Sequence, residues 1–421
     1  MSPLEILAVL LTLSATFAWI NFRFLRLPTN VGLLAMGLGA SLLMVAGGIL
    51  FPEMRIYGAL ATMLRQIDFY QAVMHGMLAF LLFAGALHVD IARLRSRGPV
   101  VATLATAGVV ISMLLVATGT WLAAHALGLP LPFAWAVVFG ALIAPTDPVA
   151  VLSTLKSVNV PPSLETDITG EALFNDGIAI VLFTLALEFA GGQQSPGIID
   201  MARLLVIEAG GGALLGFATG YAAYRAMRAV DDYSIEVMIS LALVTATYAI
   251  AGALHMSGPI AVVVAGVLIG NRGAADAMSE TTKRYVFGFW TLVDDILNSV
   301  LFLLIGLEVV VLRFDPEFGW MALVAVPLAV LARFLAVSGP LALLTRWHRF
   351  PRGTATILTW AGVRGGISVA LALSLPESPA RTLILTATYA VVLFTIIVQG
   401  LSLAWAIRRS PVGDAPSAPR G

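Results

Sequence analysis

The chain has 421 residues, 59% of them hydrophobic and only 11% charged, where soluble globular chains carry roughly 25% charge. A formal net charge of zero gives no electrostatic footprint for nucleic acid, and the lack of cysteine excludes disulfides, thiolate catalysis and thiolate metal sites. Apolar runs of about 20 residues recur along nearly the whole length, which predicts an all-α polytopic membrane protein; a β-barrel would instead show short alternating segments.

The opening "MSPLEILAVLLTLSATFAWI" lacks a positive n-region and a clear cleavage site, so it reads as a first span retained in the mature protein. Thirteen transmembrane helices are predicted, near 5–24, 31–50, 69–89, 99–119, 131–152, 169–190, 198–224, 234–254, 257–271, 285–309, 318–342, 355–375 and 381–407. With the N-terminus outside, 17 Lys and Arg residues, from Arg23 and Arg26 to Arg408, Arg409 and Arg420, fall on the cytoplasmic side. Only 5 (Arg55, Arg65, Arg203, Arg313 and Arg381) fall opposite, a strong positive-inside bias. Arg333 and Arg364 lie inside spans. Residues 1–409 therefore form one membrane domain, and 410–421 a short, Pro- and Ser-containing cytoplasmic tail predicted to be disordered.

Two spans carry Pro or Gly beside an intramembrane charge. In "GALIAPTDPVAVLSTLK", Pro145 and Pro148 flank Thr146 and Asp147; in "TWAGVRGGISVALAL", Gly362, Gly365 and Gly366 surround Arg364. These are the fifth and twelfth spans, and an odd shift of seven makes them run in opposite directions. The pattern predicts two inverted-topology repeats, about 1–190 and 234–409 with 198–224 as a linking span, whose discontinuous helices cross near the midplane.

The break at Thr146-Asp147 is expected to free carbonyl oxygens beside a hydroxyl and a carboxylate. With Asn175 and Asp176 of "ITGEALFNDGIAIVLF", these are hard oxygen donors able to surround a small monovalent cation. A plain helix N-cap would explain Thr146-Asp147 elsewhere, but mid-span a charged cap is expensive. Burial favours the protonated form of Asp176 and a bound cation its charged form, so H⁺ and cation compete for one carboxylate. Asn175 cannot titrate and is expected to fix geometry. Glu171 lies one turn before Asn175, and an Arg364–Glu171 pair between the twelfth and sixth spans is expected to keep the buried guanidinium neutralised. Arg333 is a second intramembrane arginine without an evident partner. Asp294, Asp295 and Asn298 form a further polar cluster, read as structural ahead of ion-contacting, and Glu308 ends that span. His75, His88, His125 and His255 show no ligand spacing.

Five segments in order, "IAPTDPVAVLSTLK", "GEALFNDGIAIVLF", "DDYSIEVMISLALVTATYAI…MSGPIAVVVAGVLIG", "FWTLVDDILNSVLFLLIGLEV" and "WAGVRGGISVALAL", resemble signature segments of the monovalent cation:proton antiporter-1 family. That family comprises bacterial NhaP-type antiporters and eukaryotic sodium/proton exchangers, and the resemblance runs from about residue 30 to 400. It implies that Thr146, Asp147, Asn175 and Asp176 form the ion site, with Asp176, Asp147 and Thr146 on the transported cation. It also implies that Glu171 and Arg364 form an internal salt bridge. The implied architecture is an inverted-repeat core plus a dimerisation unit, working as a homodimer by elevator-like alternating access. The Asn-Asp form of the motif implies electroneutral one-for-one exchange. Two positions depart from the family pattern: Ala172 stands where a serine hydroxyl usually faces the ion, and Gly252 where relatives often have Glu.

The expected function is antiport of Na⁺, with Li⁺ or K⁺ as alternatives, against H⁺ across a bacterial inner membrane, with no cofactor and lipid as the surrounding partner. A K⁺-selective antiporter is the runner-up. A channel would need a continuous polar pore, whereas the polar residues here cluster at one depth. An intramembrane aspartyl protease built on Asp147 and Asp176 would lack a recognisable water-activating arrangement. A membrane scaffold would leave the intramembrane acids without a purpose.

Overall fold

The computed structural model describes residues 3–50, 68–147, 149, 151, 155, 158, 160–192, 198–310 and 318–410. Pro148, Arg55, Arg65, Lys156, Arg313 and Arg420 lie outside the described residues, as does nearly all of the tail predicted to be disordered. Every regular element among the described residues is helical. This is what a lipid solvent requires, since each backbone N–H and C=O must find its partner within the segment.

Among the described residues, ten helices are long and apolar enough to cross a membrane: α1 (Leu4–Leu25), α2 (Thr29–Gly48), α3 (Phe69–Leu87), α4 (Ile91–Ala126), α6 (Pro162–Ala190), α8 (Tyr233–Ala253), α9 (Gly258–Asp276), α10 (Glu280–Glu308), α11 (Gly319–Leu344) and α14 (Arg381–Arg409). The seventh predicted span falls on α7 (Ile198–Met227). The fifth is the short helix α5 (Phe133–Ile143), and the twelfth is split into α12 (Thr354–Trp360) and α13 (Gly366–Leu373). The protein is thus a multi-pass membrane protein. Large apolar side chains stand out from it, Leu43 and Leu214 each 74% exposed, as expected of surface that faces acyl chains.

Polar side chains start several helices. Asp90 accepts from the Ala92 and Arg93 amides at the head of α4, and Asp232 from Ser234 and Ile235 at the head of α8. The short ninth span begins at Ser257, whose hydroxyl accepts from the Ile260 amide. Among the described residues, five stretches widen into π-helix, including Asn21–Leu25 and Thr395–Gln399. Such turns commonly mark functional positions.

The chain divides into two compact units. The first contains Met1–Val89, Pro196–Gly319 and Gly366–Thr386, hence α1–α3, α7–α10 and α13. Its helices approach closely through small residues: Gly212, Gly216 and Gly220 of α7 lie against Ser257, Ala261 and Ala265 of α9. The second contains Asp90–Ser195, Trp320–Gly365 and Ala387–Gly421. It is built from α4–α6, nearly all of α11, α12 and most of α14. An apolar cluster of Ala105, Val109, Ala144, Ile178 and Ala179 packs α4, α6 and the end of α5 together.

Candidate functional site

Every residue of the predicted ion site lies in the second unit. Pro145 has no N–H to continue the helix, so α5 ends at Ile143 with Ala144 still helical at φ −64° and ψ −42°, and residues 145–147 run without regular structure. The other break spans 361–365, where α12 has ended and α13 has not begun. The two breaks meet. The Asp147 amide donates to the Val363 carbonyl at 2.7 Å. A Cβ on Gly365 would sit 2.5 Å from the Cβ of Asp147 and collide with its carboxylate, so this approach requires glycine.

Helix α6 supplies the other half of the site. Asn175, fully buried, donates from Nδ2 to Thr146 Oγ1 at 2.8 Å and so ties the helix to the break. Its Oδ1 is buried without a hydrogen-bond partner among the described residues. Asp176 is 7% exposed and close enough to Asp147 for the two carboxylates to repel each other. Asp147 is half-buried, and its Oδ1 accepts from the Val149 amide at 2.8 Å. One hydroxyl, one amide oxygen and two carboxylates converge, a donor set suited to a hard cation. Ala172 is buried one turn before Asp176 and contributes only a methyl group. A side chain at Gly252 would meet open space, so the acid missing there is peripheral.

The two buried arginines correct the expected salt bridge. Glu171 does not pair with Arg364. Both of its oxygens are taken by Arg333 of α11: Nη1 pairs with Oε1, and Nη2 donates to Oε2 at 2.9 Å. Arg333 Nη2 also reaches the Leu358 carbonyl of α12 at 3.2 Å. Arg364 instead donates from Nη1 to the carbonyls of Ala144 and Pro145, at 2.6 and 2.8 Å. The physical reason is the crossing itself, which carries Arg364 onto the unsatisfied carbonyls at the C-terminal end of α5, where a cation is favoured. The backbone N–H of Arg364 donates to Thr395 Oγ1 at 3.0 Å, at the start of a π-helical turn in α14. These contacts also revise the donor set. Of the carbonyl oxygens that the break was expected to free, those of Ala144 and Pro145 already hold a guanidinium.

A second buried ion pair was not anticipated. Arg97 Nε donates to Asp167 Oδ1 at 2.8 Å and Nη2 pairs with Oδ2, while the guanidinium lies 5.2 Å from the centre of the Phe350 ring. The signal was present, because Asp167 precedes Glu171 by four residues on the same helix face. The cluster on α10 lies in the first unit. Asn298 donates to the carbonyl and Oδ1 of Asp294, both at 2.9 Å, and Asp295 is exposed.

Residues 10–409 match the family described as "Sodium/hydrogen exchanger, transmembrane". The chain belongs to this family. Among its relatives, the Na(+)/H(+) antiporter NhaP of Pseudomonas aeruginosa is 44% identical over 420 residues, 98% of each chain. The Na(+)/H(+) antiporter NhaH of Halobacillus dabanensis is 35% identical over 398 residues, 92% of this chain and 93% of that one. The fold matches the sodium proton antiporter MjNhaP1 of Methanocaldococcus jannaschii at pH 8, with a TM-score of 0.75 and 20% identity over 98% of this chain and 99% of that one. The family match thus spans both breaks and the whole of α6.

Proposed function

We propose that the protein is a secondary-active antiporter exchanging Na⁺ for H⁺, with Asp176 as the group that carries either ion. The observation that supports this most directly is the Asn175–Thr146 bond, which ties the helix bearing Asp176 to the point where the two helix breaks cross beside Asp147. The relatives are named as Na(+)/H(+) antiporters, which agrees with that chemistry.

The charges within the second unit favour one-for-one exchange. Glu171 and Arg333 neutralise each other, which leaves Arg364 to offset one of the two carboxylates of Asp147 and Asp176. One negative charge remains, and either one proton or one monovalent cation cancels it. An empty site would carry that charge through a low-dielectric layer at a cost of several kcal/mol, so the loaded forms cross and the empty one does not. Under an inward proton gradient the cycle expels cations. Asn175 and Thr146 orient the site without titrating.

In this reading the chain works as a homodimer by elevator-like alternating access in a bacterial inner membrane, and the N-terminus faces outward. The two breaks belong to inverted repeats at about 1–190 and 234–409. Ala172 favours one variation: with no hydroxyl there, selectivity for Na⁺ over K⁺ weakens. Dequenching of a pH dye in everted vesicles, with Na⁺, Li⁺ and K⁺ added in turn, tests both statements. No cation-dependent response with any of the three would defeat antiport.

A further inference from the structure

Away from the ion site, the turn joining α1 to α2 encloses a cleft of about 750 Å³, lined by Asn21, Arg23, Arg26, Leu27 and Thr29 among others. The turn is firmly built. Here α1 widens into the π-helical stretch Asn21–Leu25, and the Asn21 side chain, 3% exposed, folds back over it. Its Nδ2 donates to the Leu27 carbonyl at 2.9 Å, and its Oδ1 accepts from the Leu27 amide at 3.2 Å. The Asn21 carbonyl accepts from the Arg26 amide at 2.7 Å. Clamped in this way, Arg26 adopts φ 55° and ψ 29°, a left-handed conformation that glycine or asparagine takes more easily.

An arginine held in that conformation stands exposed beside a second, Arg23. No acidic residue occurs in the sequence between Glu5 and Glu53 to neutralise them. The first turn of α2 opens at the same cleft, where backbone N–H groups add partial positive charge. The surround is apolar and aromatic: Phe22, Phe24 and Trp19 are all well exposed, and Arg23 lies 5.6 Å from the centre of the Phe24 ring. A Trp ring settles at the headgroup level of a bilayer, and the Phe rings beside it add apolar surface for the adjoining acyl region.

We infer that this cleft binds the headgroup of an anionic phospholipid. The two guanidinium groups take the phosphate oxygens, and the aromatic rim lies along the glycerol and upper acyl region. A free phosphate would use the arginines but not the rim. The two positive charges, which pair with no carboxylate among the described residues, favour a headgroup of net negative charge over a zwitterionic one.

The test uses the full-length protein in detergent, read by native mass spectrometry and thermal unfolding, with phosphatidylglycerol, phosphatidylcholine and inorganic phosphate as separate additions. Phosphatidylglycerol is expected to remain bound and raise the unfolding temperature. Replacing Arg23→Gln with Arg26→Gln is expected to weaken that binding by about tenfold or more. Replacing Arg408→Gln with Arg409→Gln, a basic pair at the other end of the chain, is expected to leave it unchanged. Should the first double variant fail to fold, competition of equimolar phosphatidylglycerol and phosphatidylcholine for the unaltered protein decides. Equal retention of the two lipids, equal stabilisation by inorganic phosphate, or undiminished binding to the Arg23→Gln, Arg26→Gln variant would each overturn the assignment.

Discussion

The two helix breaks look alike in outline but solve opposite electrostatic problems. The break after α5 leaves carbonyls unsatisfied, and Arg364 from the other break fills those of Ala144 and Pro145. The break after α12 leaves the Val363 carbonyl, which the Asp147 amide fills. Each break therefore completes the hydrogen bonding of the other, as buried backbone demands. The difference lies in the side chains. Arg364 brings a guanidinium fixed on backbone carbonyls, whereas Asp147, with Asp176 of α6 beside it, brings a carboxylate that can be protonated or matched by a cation. One break supplies a constant, the other a variable.

The sharpest way to break this comparison is to remove the variable. Asp176→Asn is expected to abolish cation-dependent proton flux in vesicles while thermal stability is kept or raised, since repulsion with Asp147 disappears. A variant that still exchanges ions would contradict the assignment of Asp176. Next in size is Gly365→Ala, whose Cβ would push the Asp147 carboxylate aside. Apparent cation affinity should fall by about tenfold or more with the protein still folded, and an unaltered affinity would mean that Asp147 has no part in binding.

The arginine partners can be separated by charge exchange. Arg333→Ala alone should cost about 3–5 kcal/mol of stability, because it strands a buried carboxylate. Glu171→Arg combined with Arg333→Glu should recover part of that loss, whereas Glu171→Arg combined with Arg364→Glu should recover none. The reverse pattern in thermal unfolding would restore the pairing expected from sequence. The smallest effect is expected from Ala172→Ser, which adds one oxygen. An improvement in apparent Na⁺ affinity of about two- to fivefold would follow from one extra polar contact of about 0.5–1 kcal/mol.

Much of this was legible in the chain. Hydropathy located the helices because lipid leaves few alternatives, and the prolines of "APTDP" announced where α5 must stop. The residues of the proposed ion site stood out because carboxylates are costly in apolar runs. Partner choice was not legible. Glu171 had two candidate arginines of equal charge, and only the crossing of the breaks sends Arg364 to carbonyls and leaves Arg333 for the carboxylate. The requirement at Gly365 was equally hidden, since glycine is common in membrane helices for many reasons. Asp167 was passed over because it precedes the apolar part of α6, although its spacing from Glu171 pointed to the same face.

The Arg364 contacts bear on how the activity should depend on acidity. The Arg364 guanidinium is seated on two carbonyls and that of Arg333 against Glu171, so both are tied into the frame around the breaks. With Asp176 as the proposed carrier of the proton, one ionisation event gates turnover. The alkaline rise of the exchange rate should follow a simple sigmoid with a Hill slope near one, and a markedly steeper curve would reveal a second cooperating proton.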